Sequence, residues 1–171
     1  MDAQTLRSRL EALHPECFGW ALACNDRDPD AAREVLQMTY VKVLDGKARW
    51  DGRATFRTWL FAVIRNTAAE RRRGEWLSGE RLARMWRGRV TADQPRDPEA
   101  AAAAVETARI LRDALARLSR RQREVIHLVF YHGLTVDAAA GVLGLAPGSA
   151  RLHYDRGKRR LRELLPHEAR P

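Results

Sequence analysis

Two arginine blocks, each riding on a stretch with helical spacing of apolar residues, constrain this chain more than any other feature. The first spans Arg53, Arg57, Arg65, Arg71, Arg72 and Arg73; the second spans Arg151, Arg156, Lys158, Arg159, Arg160 and Arg162. Of the net charge of +9, residues 50–89 carry +6 and residues 119–171 carry +5, while residues 1–49 and 90–118 each carry −1. Cations on a helix belong on its solvated face, so each block calls for its own amphipathic helix with its own apolar backing. Two such surfaces on one small chain point to two contacts with one long polyanion. Arginines placed by composition bias alone would be scattered, and these are clustered.

A chain of 171 residues has room for one ordinary domain or two small ones. With 45% hydrophobic residues it is globular. Ala, Leu and Arg dominate and β-branched residues are few, which favours helix over sheet. No apolar run reaches the ~20 residues of a membrane span, so no membrane insertion is expected. No basic flank leads into an apolar stretch at the N-terminus, so the expected location is cytoplasmic. Cys17 and Cys24 then read as free thiols in a helical core. With His14 they match no standard zinc spacing and lack a fourth ligand, so no metal is expected. Neither a Gly-rich phosphate loop nor a nucleophile elbow is present. Glu70 and Glu124 read as helix-surface pairing partners, so no cofactor and no enzymatic activity are expected.

Along the chain, residues 2–25 read as helical with a break near Pro15. Asp26-Arg27-Asp28-Pro29-Asp30 is a turn, with Asp30 as N-cap of a helix reaching Leu44. Its apolar side is Val35, Leu36, Tyr40, Val43 and Leu44. Asp45-Gly46 ends it, and a loop from Lys47 to Ala54 carries Trp50. The next helix runs to about Arg73, with Phe56, Trp59, Leu60, Val63, Ile64 and Thr67 on one side and Arg57, Arg65 and Asn66 on the other. Trp50, Phe56, Trp59 and Phe61 interleave with arginines, as in proteins that hold unstacked bases. Their ordinary alternative is a core role, strongest for Phe56. Residues 75–105, entered at Gly74 and punctuated by Gly79, Gly88, Pro95 and Pro98, read as an interdomain linker with some helix, including Arg81 to Trp86. The alanine run 100–104 starts the following helix.

The C-terminal third holds the sharper pattern. Ser119-Arg120-Arg121-Gln122 has the form of a capping box. The helix it opens carries Val125, Ile126, Val129 and Phe130 and stops at Gly133. Thr135 caps a short helix that Gly144 closes, and Pro147 stands at the first turn of a basic helix. Short helix, Gly-containing turn and basic helix make helix-turn-helix grammar. With Ala150, Tyr154, Gly157 and Leu161 facing the core, Ser149, Arg151, Leu152, His153 and Arg156 face outward, where a major groove would meet them. Gly157 inside the helix costs about 1 kcal/mol against Ala and calls for close packing.

These residues resemble the extracytoplasmic-function sigma factors, the smallest members of the bacterial sigma-70 superfamily. Asp51-Gly52-Arg53-Ala54-Thr55-Phe56-Arg57-Thr58-Trp59-Leu60, continuing to Ile64-Arg65-Asn66, is similar to the promoter-melting region. Leu118 to Ile126, Tyr131 to Thr135, Leu143-Gly144-Leu145 and Arg159 to Arg162 are similar to the second DNA-binding domain. The resemblance implies an all-α chain of two small helical domains joined by a flexible linker: 1–76, a helical bundle that docks on polymerase and opens the −10 element; 77–105, the linker; and 106–171, a helix-turn-helix domain for the −35 element. It implies core RNA polymerase and promoter DNA as partners, with an anti-sigma factor holding the chain inactive. Trp50, Arg53, Arg57, Trp59, Arg65 and Asn66 would serve melting. Ser149, Arg151, Leu152, His153 and Arg156 would read the −35 element. Glu34, Gln37, Met38 and Val41 would dock on the polymerase clamp.

The chain departs from the family pattern in three places. Its docking helix is poor in acids around Gln37, which leaves weaker docking, or a contribution such as modification at Thr39. Leu152 and His153 stand where a small polar and a basic residue are common, so no promoter sequence transfers. Tyr154 and Gly157 replace the commoner Leu and Ala. Two competing functions remain open: an autonomous helix-turn-helix regulator, and a nucleic-acid enzyme or accessory protein. The first would bind duplex DNA alone with half-site symmetry, and the second would turn over substrate without polymerase.

Overall fold

The computed structural model describes residues 2–78 and 98–165. All regular structure in those residues is helical, and the chain divides into two compact units. The first holds α1 (Ala3–Cys24), α2 (Pro29–Leu44) and α3 (Phe56–Ser78). The second holds the bulk of α4 (Pro98–Ala116), α5 (Arg120–Ile126), α6 (Val136–Leu143) and α7 (Pro147–Leu164). The alanine run 100–104 lies inside α4, while the helix expected at Arg81 to Trp86 lies outside the described residues.

In the first unit, Pro15 does not break α1. Leu10 before it and Cys17, Trp20, Ala21 and Cys24 after it are all buried. Each large apolar side chain so buried contributes about 1.5–3 kcal/mol, which together outweighs the ~3 kcal/mol cost of an internal proline. Asp28, not Asp30, caps α2: its carboxylate accepts from the Asp30 and Ala31 N–H groups at 2.9 and 3.0 Å. The cap precedes Pro29 because proline at the first helical position has no donor to satisfy. The core joins Trp20 of α1, Val35 and Leu36 of α2, and Leu60, Phe61 and Ile64 of α3. The Trp20 indole donates to the Phe61 carbonyl at 3.0 Å, pinning α1 to α3. Phe61 is therefore core, while Leu44, expected inside, is 48% exposed.

In the second unit the capping box at Ser119 and Gln122 is formed in full. Ala114, Leu118, Ile126, Leu161 and Leu165 make one apolar cluster, with Ile110 and Tyr154 packed against it. Past Ile126 the chain takes a π turn, His127–Tyr131. The wider turn sets the phase of the helix back: Leu128 stays buried, while Phe130, expected inside, is 56% exposed. Gly133 and Gly144, at φ +62° and +60°, end their helices in the left-handed region that favours glycine. The Thr135 hydroxyl accepts from the Ala138 N–H at 3.1 Å, as an N-cap should. Glu124 is buried beneath Arg120 and Arg121, at 3.0 and 3.2 Å, rather than paired on the surface.

Candidate nucleic-acid interface

On α7 the expected stripe is in place: Ala150, Gly157 and Leu161 are buried and Tyr154 is half-buried. Gly157 is where the helix meets α5. A Cβ there would stand 2.6 Å from Ile126 Cδ1 and 3.2 Å from Gln122 Cβ. Docking α7 this closely turns Ser149, Arg151, Leu152 and Arg156 to solvent and leaves His153 half-buried. Arg151 is held by both oxygens of Asp137 on α6, at 3.0 and 3.1 Å. That pair fixes the guanidinium at the mouth of the turn between α6 and α7. Exposed pairs of this kind contribute only about 0.2–1 kcal/mol, so a phosphate or base edge can compete for the arginine.

In the first unit the loop between α2 and α3 is ordered by its own residues. The Trp50 indole donates to the Ala54 carbonyl at 2.8 Å. Its ring meets Phe56 edge-on at 5.7 Å, and Phe56 in turn lies 5.3 Å from Trp59. The Arg9 guanidinium of α1 sits over both Trp50 and Phe56, at 5.6 and 5.7 Å. Asp51 accepts from the Arg53 N–H at 3.1 Å and pairs with the Arg53 guanidinium, while Gly52 takes φ +79°. Arg53 and Asn66 are exposed, and Trp59 and Arg65 are half-buried. The loop region thus presents the half-buried rings of Trp50 and Trp59, seated beside the buried Phe56 and rimmed by cations.

Three arginines of the first block do other work. Arg57 pairs with Glu16 of α1 at 2.6 Å and lies over the buried Phe61 ring at 5.4 Å. Arg71 is buried and paired with Glu34 at 3.2 Å and with Glu75. Arg72 donates to the Cys24 carbonyl. These contacts tie α3 to α1 and α2, so the solvent-facing basic stripe is shorter than the sequence implied. Glu70 pairs with Lys42, as expected of a surface carboxylate.

Glu34, Gln37, Met38 and Val41 fall at one-turn spacing along α2. Gln37 and Val41 are exposed, Met38 is half-buried, and Glu34 is exposed while engaged with Arg71. The outward turn of Leu44 lengthens this face. Thr39 is fully buried, so a modifying enzyme has no access to its hydroxyl in the folded chain. Sequence reasoning missed Arg9, Asp137 and Leu44. Arg9 lies 41 positions from Trp50 with no local signal linking them, and Asp137 reads as an ordinary first-turn acid. Cys17 and Cys24 are buried free thiols, and the described residues hold no cluster able to ligate a metal. His14 instead meets the Tyr40 hydroxyl at 3.0 Å. No helix among the described residues is long and apolar enough to cross a membrane.

Comparison with known proteins joins the two halves. Residues 10–78 match the family model for Sigma-70 region 2, and residues 108–161 match that for Sigma-70, region 4. The chain is 28% identical over 163 residues to the RNA polymerase sigma factor CarQ of Myxococcus xanthus, covering 95% of this chain and 91% of that one. It is 32% identical over 138 residues to the RNA polymerase sigma factor CnrH of Cupriavidus metallidurans, covering 77% and 72%. Among solved structures, the sigma factor RpoE of Bartonella quintana, in complex with the anti-sigma factor NepR, gives a TM-score of 0.68 at 22% identity, covering 95% of this chain and 97% of that one. CnrH in complex with the cytosolic domain of CnrY gives 0.63 at 25% identity, covering 94% and 88%. With a region 2 and a region 4 in order along an all-helical chain, the protein belongs to the extracytoplasmic-function sigma factors, which are not enzymes but bind core RNA polymerase and direct transcription initiation at chosen promoters.

Proposed function

We propose that the first unit opens the −10 element and the second reads the −35 element as intact duplex. The half-buried rings of Trp50 and Trp59 beside the buried Phe56, with Arg9 over Trp50 and Phe56, are the observation that carries the first half. Melting needs captured bases, and each base stacked on an aromatic ring contributes about 1–3 kcal/mol. Trp50, Arg53, Trp59, Arg65 and Asn66 line the strand in this reading. Arg57 braces α3 against α1 rather than touching DNA. In the second unit Ser149, Leu152 and His153 read base edges, Arg156 contacts the phosphates beside them, and Arg151 exchanges Asp137 for the backbone.

The α2 face of Glu34, Gln37, Met38, Val41 and Leu44 docks on core polymerase. Neither DNA contact needs high affinity by itself, because the polymerase holds both at high effective concentration. An anti-sigma factor is a partner in this reading, acting on a cytoplasmic pool of the chain, as NepR is the partner of RpoE in their solved complex. The test is reconstitution with core polymerase on genomic fragments. Initiation from defined start sites is expected. Tight, symmetric duplex binding without polymerase would favour the autonomous regulator instead.

A further inference from the structure

A cleft of about 320 Å³ in the second unit is lined by Arg117, Gln122, Arg156, Arg159, Arg160 and Glu163. Arg117 lies in the turn after α4, beside the Ser119 capping box that fixes the start of α5. The other cations come from α7, on the stripe that also carries Ser149 and Leu152. All four arginines are exposed. Arg160 is paired with Glu163 at 2.9 Å, so four guanidinium groups face a single carboxylate. Arg156 and Arg160 stand one turn apart, where like charges repel. A bound polyanion relieves that repulsion.

We propose that this cleft is an anchor for the phosphate backbone of duplex DNA, distinct from the base-reading residues. The proposal rests on α7 being the duplex-reading helix. Arg156 to Arg160 spans about 6 Å of helix axis, enough for about two consecutive phosphates of a strand at ~3.4 Å of duplex axis each. A small phosphate ligand is normally buried over most of its surface in its site. Here the cations stand open to solvent, which suits a polymer laid across them. The cleft continues the exposed stripe of α7, so a duplex seated on Ser149 and Leu152 runs toward it. Arg117 gives the clamp a second jaw from outside the helix-turn-helix, and no local motif announces it.

The test uses the full chain bound to core polymerase, with Arg117→Ala and Arg159→Ala made singly and together. Affinity for a promoter −35 duplex and for a scrambled duplex is measured between about 50 and 200 mM salt. Each substitution is expected to flatten the slope of log K against log salt by about 0.9 for each phosphate that is no longer neutralised, equally on both duplexes. Glu163→Gln is expected to tighten binding to both. Unfolding temperatures, unchanged in these exposed-site variants, confirm the fold. Slopes equal to wild type overturn the anchor. So does loss of tripolyphosphate binding by the Arg117→Ala chain with its DNA slope intact, because the cleft then serves free anions. Ser149→Ala and Leu152→Ala judge the α7 reading separately: if discrimination between the two duplexes survives both, that reading fails whatever the slopes show.

Discussion

Arg9 reaches from α1 to cover two aromatic rings of the α2–α3 loop. Partly exposed cation–π contacts contribute about 0.5–1 kcal/mol each, enough to bias a loop without being needed for the fold. Arg9→Ala is therefore expected to leave the unfolding temperature nearly unchanged yet reduce promoter opening several-fold, read as permanganate reactivity of thymines near −10. Unaltered opening would remove Arg9 from the loop's support. Cys17 makes the opposite kind of case. Burial pushes its thiol up to about 12, and burial pushes the Tyr40 hydroxyl up as well. A thiol that is harder to ionise when folded stabilises the chain fully below its ordinary value of 9.0, and that contribution is lost as pH rises toward about 12. Stability should fall across this alkaline window, and Cys17→Ala should flatten the fall in a plot of Tm against pH. At neutral pH the native chain should resist alkylation at both cysteines.

At the scale of elements, α7 depends on its approach to α5 at Gly157. Gly157→Val is expected to cost about 1–3 kcal/mol by overpacking against Ile126, measured by thermal or denaturant unfolding; an unchanged stability would contradict the contact. Caps and glycine stops were readable from sequence because they are local. The capping box at Ser119, Thr135, Gly133, Gly144 and Pro147 all act within a few residues of the chain. What misled is physical and non-local. Pro15 survives inside α1 because burial on both sides of it exceeds its cost. The π turn at His127–Tyr131 shifts the apolar phase by a partial turn, which a fixed helical period does not anticipate, and so Phe130 faces outward. Arg71, Arg72 and Glu124 carry charge, which sequence assigns to the surface, yet their partners come from neighbouring turns or helices.

For the whole molecule, the order of two functional regions was legible in the sequence, and the family comparisons agree with it. The fine distribution of charge was not. The first arginine block splits into braces of the bundle and a shorter rim around the loop, while Arg117 joins the α7 cations from a separate element. Docking on polymerase also takes shape only in three dimensions, as Val41 and Leu44 add exposed apolar surface to an acid-poor face. Leu44→Glu is expected to leave folding intact and lower the affinity for core polymerase by several-fold; equal affinity in a competition assay would exclude Leu44 from the interface.

The division of labour between the two units is tested most directly by mapping one promoter with reconstituted holoenzyme, scoring −35 protection and −10 thymine reactivity together. Trp50→Ala with Asn66→Ala should keep the −35 footprint and abolish reactivity at −10. Leu152→Ala with Arg156→Ala should erase the −35 footprint, while opening is recovered on a template whose −10 strands are already unpaired. Loss of the −35 footprint in the loop variant, with its retention in the α7 variant, would contradict the assignment of melting to the first unit and duplex reading to the second.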